Sequence, residues 1–110
     1  VKVVKSDAGQ ALYFSRSPIP YTANLKDALG MARGHIGIYG YHRDVLKRMA
    51  GAPVALLEKL ERLEQLRAMS LGIPIWALGA AQAPIGIDTP EDLDAARKRF
   101  QELGEAAFPG

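Results

Sequence analysis

Two β-type runs stand at the front of the chain. Val3 and Val4 lie in residues 1–5, and Leu12, Tyr13 and Phe14 lie in residues 11–15, with Ser6-Asp7-Ala8-Gly9-Gln10 between them. This spacing predicts a β-hairpin whose loop uses the positive φ open to Gly9. Ser17-Pro18-Ile19-Pro20-Tyr21 then takes the chain out of regular structure, because proline lacks a donor and restricts the residue before it. Residues 22–34 read either as a short helix around 24–32 ended by Gly34 or as a loop. The apolar run His35-Ile36-Gly37-Ile38-Tyr39-Gly40-Tyr41 predicts a buried strand, its glycines marking close approach of a backbone or ligand.

The rest of the pattern is helical with one short apolar interruption. Asp44 is placed to cap a helix over 45–50, which Gly51-Ala52-Pro53 ends. Leu56, Leu60, Leu63, Leu66 and Met69 recur at three- and four-residue spacing, predicting one amphipathic helix over 55–71 with Gly72 as its C′ residue. Ile73 to Leu78 reads as a short strand holding Trp76. Thr89 and Pro90 supply an N-cap and an N1 proline, and Asp92 stands where a capping box needs it. The helix that follows runs to about 103, with Leu93, Ala96, Phe100 and Leu103 inward and a frayed tail after Gly104. Strands alternating with helices behind a leading hairpin give an α/β class.

Composition narrows the function by exclusion. The chain has 110 residues, 48% hydrophobic and 24% charged, ordinary for one soluble globular domain. A net charge of +2 without a basic cluster gives no reason to expect nucleic-acid binding. The absence of cysteine removes disulfides, thiolate catalysis and Cys-based zinc sites. No apolar run approaches a membrane span of ~18 residues. The opening Val-Lys-Val-Val has neither an initiator Met nor the order of a signal peptide. It suggests a start inside a larger protein, with a processed start as the alternative. Walker A and Gly-x-Gly-x-x-Gly loops are absent. His35 and His42 have no metal-type partner at short spacing.

Four polar groups remain. Arg16, at the end of a strand, has the fork that pairs with a carboxylate, or is a solvated surface charge. His35 and Tyr39, four apart on the predicted strand, share a face that suits a polyhydroxylated ligand, or form a satisfied Tyr beside a strand-end His. Glu64 and Gln65 rotate off the leucine stripe, which locally reads as a polar helix face. Asp88 either assists the next cap or offers a carboxylate to Mg²⁺. Thr89 can cap unaided, and Mg²⁺ takes only one or two protein carboxylates beside water and phosphate oxygens.

Four blocks in register carry a resemblance. Ala11-Leu12-Tyr13-Phe14-Ser15-Arg16-Ser17-Pro18-Ile19-Pro20-Tyr21, His35-Ile36-Gly37-Ile38-Tyr39, Leu63-Glu64-Gln65-Leu66-Arg67 and Gly86-Ile87-Asp88-Thr89-Pro90-Glu91-Asp92-Leu93 resemble the 3-deoxy-manno-octulosonate (KDO) cytidylyltransferases over nearly the whole chain. The resemblance implies the C-terminal portion of a Rossmann-like nucleotidyltransferase, with a mixed sheet and flanking helices. It implies a cytoplasmic reaction of CTP with KDO, giving CMP-KDO and pyrophosphate for lipopolysaccharide assembly.

Arg16 would take the sugar carboxylate, His35, Tyr39, Glu64 and Gln65 its hydroxyls, and Asp88 would hold Mg²⁺ with an aspartate from the other half. Residues 1–21 would lie in a homodimer contact and 35–104 would form the sugar- and metal-binding segment of a single partial domain. The family's CTP loop and partner aspartate have no counterpart here, so the chain alone is expected to transfer nothing. The alternatives are a non-catalytic dimerisation or sugar-acid-binding module and a cytidylyltransferase for a related sugar acid such as a sialic acid. Tyr13-Phe14-Ser15-Arg16 favours KDO. Two departures from the family pattern stand out. Thr22-Ala23-Asn24 replaces an acidic-basic pair, with Lys26 the nearest cation. Pro53-Val54-Ala55-Leu56-Leu57-Glu58 replaces a better-capped helix start.

Overall fold

The computed structural model describes residues 1–28, 33–82 and 84–104. It divides into two compact units, Val1–Gly79 and Ala80–Gly110, each described here by itself.

In the first unit, β1 (Lys2–Lys5) and β2 (Ala11–Ser15) form the expected antiparallel hairpin, pairing Val3 with Phe14 and Val4 with Tyr13. Gly9 turns the loop at φ 97°, its N–H donating to the Ser6 carbonyl at 2.9 Å. The Ile19–Pro20 peptide bond in the proline-rich turn is cis. Thr22-Ala23-Asn24 forms a capping turn: Thr22 Oγ1 donates to the Asn24 carbonyl at 2.7 Å, and Asn24 Oδ1 accepts the Lys26 N–H at 3.1 Å. It opens α1 (Leu25–Ala28). The remainder of the helix expected to 32 lies outside the described residues.

The strand expected over 35–41 does not form. The chain pairs only at β3 (Arg33–Gly34), where Gly34, expected to end a helix, sits opposite Lys2. His35 adds one bond from its N–H to the Val1 carbonyl at 2.9 Å. Beyond it, Ile38 N–H turns back to the Ile36 carbonyl at 2.8 Å, which ends the ladder and leaves Ile38 83% exposed. The sheet order is β2-β1-β3. It was expected to be mixed; with β1 in the centre and antiparallel to both neighbours, every pairing described is antiparallel.

The helix α2 (Arg43–Gly51) starts one residue before the Asp44 expected to cap it. His42 occupies the N-cap without a side-chain bond, and Asp44 stands in the first turn, where a carboxylate is favoured by the helix dipole. The single helix expected over 55–71 is two, α3 (Leu56–Glu61) and α4 (Gln65–Ser70). Arg62 separates them in the left-handed region, φ 55° and ψ 46°. A non-glycine residue is disfavoured there by about 1–2 kcal/mol, and no sequence signal marks the position.

The break redistributes the leucines. Leu56 and Leu60, expected inward, are each 71% exposed, while Leu63 and Leu66 are buried. Leu66 packs with Val3, Ala11, Phe14 and Leu63 against the hairpin. Ala68, on the same short helix, packs with Met49 and Ile73 on the other side. Arg67 holds three helices together: Nε and Nη2 donate to the two Glu58 oxygens at 2.8 and 2.7 Å, and Nη1 to the Met49 carbonyl at 3.2 Å. The strand expected over 73–78 is reduced to a bridge between Gln10 and Trp76. Two bonds hold it, from Ala11 N–H to the Ile75 carbonyl and from Ala77 N–H to the Gly9 carbonyl. Pro74 removes a donor from that ladder.

In the second unit, α5 (Pro90–Leu103) begins at the expected cap: the Asp92 N–H donates to Thr89 Oγ1, and the Thr89 N–H donates to Asp92 Oδ2, both at 3.1 Å. Its expected inward face is not buried, with Leu93, Phe100 and Leu103 37%, 50% and 46% exposed. One helix by itself has too little apolar surface to enclose that face. The tail after Gly104 lies outside the described residues. Among the described residues no helix is long and apolar enough to cross a membrane.

Candidate functional site

The end of β2, the His35–Tyr39 segment and the α3–α4 junction, all in the first unit, carry the five expected sugar contacts. The rings of Phe14 and His35 meet edge to face, with centroids 5.3 Å apart and planes at 81°. This places His35 over the end of β2. The Tyr39 hydroxyl and His35 Nε2 are hydrogen-bonded, so the two side chains meet although the backbone between them is not a strand. Burial lowers the His35 pKa and favours the neutral imidazole. The Tyr39 phenol is pushed up to about 12, first by burial and then by Tyr41 and the Glu64 carboxylate. The neutral phenol is therefore the form present across the physiological range.

Glu64 is exposed at the N-cap of α4, while Gln65 behind it is buried at 6% exposure. The reading of this pair as a polar helix face is thus corrected for Gln65: the left-handed turn at Arg62 resets the helix phase and points Gln65 inward. Among the described residues, Gln65 Nε2 is buried with no hydrogen-bond partner. Such a donor costs about 1–3 kcal/mol to leave unpaired, and buried polar atoms in folded proteins are overwhelmingly satisfied.

Arg16 is exposed and not disordered in its contacts. Its Nε donates to the Glu61 carbonyl at 2.7 Å and its Nη2 to the Arg62 carbonyl at 3.0 Å. It therefore closes the C-terminus of α3, and among the described residues its Nη1 side is uncommitted. Sequence reasoning missed the residue that organises this corner. The Glu61 carboxylate accepts from Ser15 Oγ at 2.7 Å, the Arg16 N–H at 2.9 Å and the Tyr13 hydroxyl at 3.5 Å. The Ser15 bond first, then the Arg16 N–H, hold its pKa below the usual carboxylate range. Glu61 lies 45 residues from Arg16 in sequence and reads there as one more polar residue of a helix, so no local signal marks it.

Asp88 is exposed in the second unit. Its backbone N–H donates to Asp92 Oδ2 at 3.1 Å. The cap itself is made by Thr89 and Asp92, so the Asp88 carboxylate takes no part in it. A carboxylate without a bond among the described residues fits Mg²⁺, which relies on few protein ligands. Among the described residues no group of three or more His, Cys, Asp or Glu converges as a metal cage.

Comparison with known proteins decides the family. A family model described as cytidylyltransferase matches residues 1–75. The chain belongs to the cytidylyltransferase family. Cytidylyltransferase relatives include the 3-deoxy-manno-octulosonate cytidylyltransferases of Chlorobium luteolum, 44% identical over 96% of this chain and 42% of that one, and of Escherichia coli, 46% identical over 97% and 43%. The chain thus spans less than half the length of these relatives. Among solved structures, CMP:2-keto-3-deoxy-manno-octonic acid synthetase complexed with CTP superposes with a TM-score of 0.84, at 40% identity over 94% of this chain and 42% of that one. The α/β architecture expected from the sequence is that of a cytidylyltransferase segment.

Proposed function

We propose that this chain is the sugar-acid-binding part of a cytidylyltransferase that joins CTP and KDO to give CMP-KDO and pyrophosphate. The observation that carries this reading is the hydrogen-bonded pair of His35 and Tyr39 in a family whose similar members are KDO cytidylyltransferases, with the Gln65 amide, unpartnered among the described residues, as a further candidate contact. The Nη1 side of Arg16 takes the sugar carboxylate. His35, Tyr39, Glu64 and Gln65 take hydroxyls, with neutral His35 and Tyr39 able both to donate and to accept. Held this way, the anomeric hydroxyl is presented to the α-phosphorus of CTP. The new P–O bond forms as the bond to pyrophosphate breaks, and positioning supplies much of the rate. Asp88 is the residue of this chain that holds Mg²⁺, an ion that neutralises phosphate charge when bound. The remaining length of the enzyme supplies the CTP contacts, and residues 1–21, with Leu12 58% and Tyr21 91% exposed, meet a second copy. The reaction serves lipopolysaccharide assembly in the cytoplasm.

The test is pyrophosphate release in the full-length enzyme that carries this segment, with CTP and either KDO or a sialic acid. KDO is expected to turn over and sialic acid not. Asp88→Asn is expected to slow turnover at least about a hundredfold with little change in thermal stability, because it removes one ionic ligand and no cap. The 110-residue chain alone is expected to show no turnover. Full activity of Asp88→Asn, or a preference for sialic acid, would refute the assignment.

A further inference from the structure

Glu61 has no place in the set of sugar contacts, yet it ties together the elements that carry them. Its carboxylate is pinned from β2 by two donors, Ser15 Oγ at 2.7 Å on one oxygen and the Arg16 N–H at 2.9 Å on the other. Ser15 is 2% exposed, and its Oγ also accepts the Ser17 N–H at 3.0 Å, so the hydroxyl has a fixed direction and must donate to Glu61. Returning from the other side, the Arg16 guanidinium donates to the carbonyls of Glu61 and Arg62. Side chain and backbone of Arg16 and Glu61 thus form a closed ring of bonds between the end of β2 and the end of α3. The ring surrounds Arg62, the residue in left-handed conformation, and the turn at Arg62 is what directs Gln65 into the interior.

We infer that Glu61 is a positioning residue for sugar-acid binding, fixing both the guanidinium of Arg16 and the left-handed turn that delivers Gln65. This rests on the sugar-acid reading of the site. Without the carboxylate, the Arg16 N–H and the buried Ser15 hydroxyl lose their acceptor. The guanidinium, long and exposed, then has no fixed origin from which to present its Nη1 side. The end of α3, next to the left-handed Arg62, loses its tether to the end of β2 through the carboxylate, and the guanidinium bonds to the Glu61 and Arg62 carbonyls are left to hold the turn alone. Glu61 touches no substrate in this arrangement; its effect passes through Arg16 and Gln65.

A Glu61→Gln substitution keeps the size and one acceptor oxygen but replaces the other by an amide N–H₂, so either the Arg16 N–H loses its acceptor or the Ser15 hydroxyl must turn from donor to acceptor, and the charge behind both bonds is lost. In the full-length enzyme, with KDO varied at saturating CTP, Glu61→Gln is expected to raise the KM for the sugar acid about tenfold or more, the loss of a charge-assisted hydrogen bond. Its kcat should change by less than about threefold, and the KM for CTP should stay as in the parent. Ser15→Ala, which removes one bond and no charge, is expected to move the sugar KM in the same direction by a smaller factor. Adding Glu61→Gln to Arg16→Ala should cost less than the sum of the two single changes, since part of what Glu61 does passes through that guanidinium. A merely structural Glu61 would instead lower the melting temperature and the active fraction, reducing kcat with the sugar KM unchanged in both Glu61→Gln and Ser15→Ala; that result, or full additivity with Arg16→Ala, overturns the inference. The underlying site reading fails separately, if Arg16→Ala and Gln65→Ala themselves leave the sugar KM unchanged.

Discussion

Replacing Gln65 by methionine separates the stability of this fold from its proposed use. The Gln65 side chain is 6% exposed and its Nε2 has no partner. A buried donor in that state costs about 1–3 kcal/mol. Methionine has nearly the same length, carries no buried N–H, adapts to irregular space and matches glutamine in helix propensity. The substitution should therefore raise the unfolding free energy of the 110-residue chain by about 1–2 kcal/mol, a shift of roughly 4–8 °C per kcal/mol for a domain near this size. The assay is urea unfolding followed by far-ultraviolet circular dichroism, where the midpoint should rise at constant slope. On the proposed reading of the site, the same variant in the full-length enzyme should weaken binding of the sugar acid about tenfold, since it removes the donor that reading assigns to a hydroxyl. Destabilisation by more than about 1 kcal/mol would mean that the amide makes a bond of its own, and would refute the reasoning from which the site was built. A stabilised variant with undiminished binding would leave the stability account standing and remove Gln65 from the sugar contacts.

Two further outcomes follow from the helix α3 and its neighbours. Ala55 sits at the N-cap with the extended backbone that a cap requires, φ −75° and ψ 153°, and its N–H already donates to Glu58 Oε1 at 3.2 Å. An alanine has no oxygen to return that bond, so Ala55→Ser should complete the capping box and stabilise the chain by about 0.5–2 kcal/mol in urea unfolding. Glu58 is held below the usual carboxylate range chiefly by its Arg67 bonds, and Glu61 chiefly by Ser15. Because folding lowers these pKa values, the stability they contribute is fully present above the ordinary glutamate pKa and is lost as pH falls through the folded values. The urea midpoint should hold from neutral pH down to about 5 and fall below about 4.5. Glu58→Gln should flatten that fall, and an unchanged acid limb in this variant would count against the assignment.

The elements whose signals are local were legible in the sequence. The hairpin with Gly9 at its turn and the Thr89-Pro90 start of α5 needed only neighbouring residues, and both formed as expected. What stayed hidden was set by distant contacts. Nothing within residues 55–71 marks Arg62 for a left-handed turn, because its bonds come from Arg16 across the fold. The leucine periodicity ran straight through the break and put Leu56 and Leu60 on the wrong side. His35 and Tyr39 were rightly placed together for a reason that did not hold: no strand aligns them, and a hydrogen bond between their side chains does. The individual polar groups were open to bland readings, and only their joint register with a family of known enzymes connected them. Glu61 had neither local pattern nor a place in that register.

Arg67 ties α2, α3 and α4 through one side chain, by the Met49 carbonyl and both oxygens of Glu58. None of these helices exceeds nine residues, too short to persist alone in water. Their survival is therefore collective. A local opening that frees the guanidinium releases the end of one helix and the start of another at once, so the three are bound to exchange their amide hydrogens as a single cooperative unit. The three short helices consequently have no intermediate looseness: they are expected to open together or not at all.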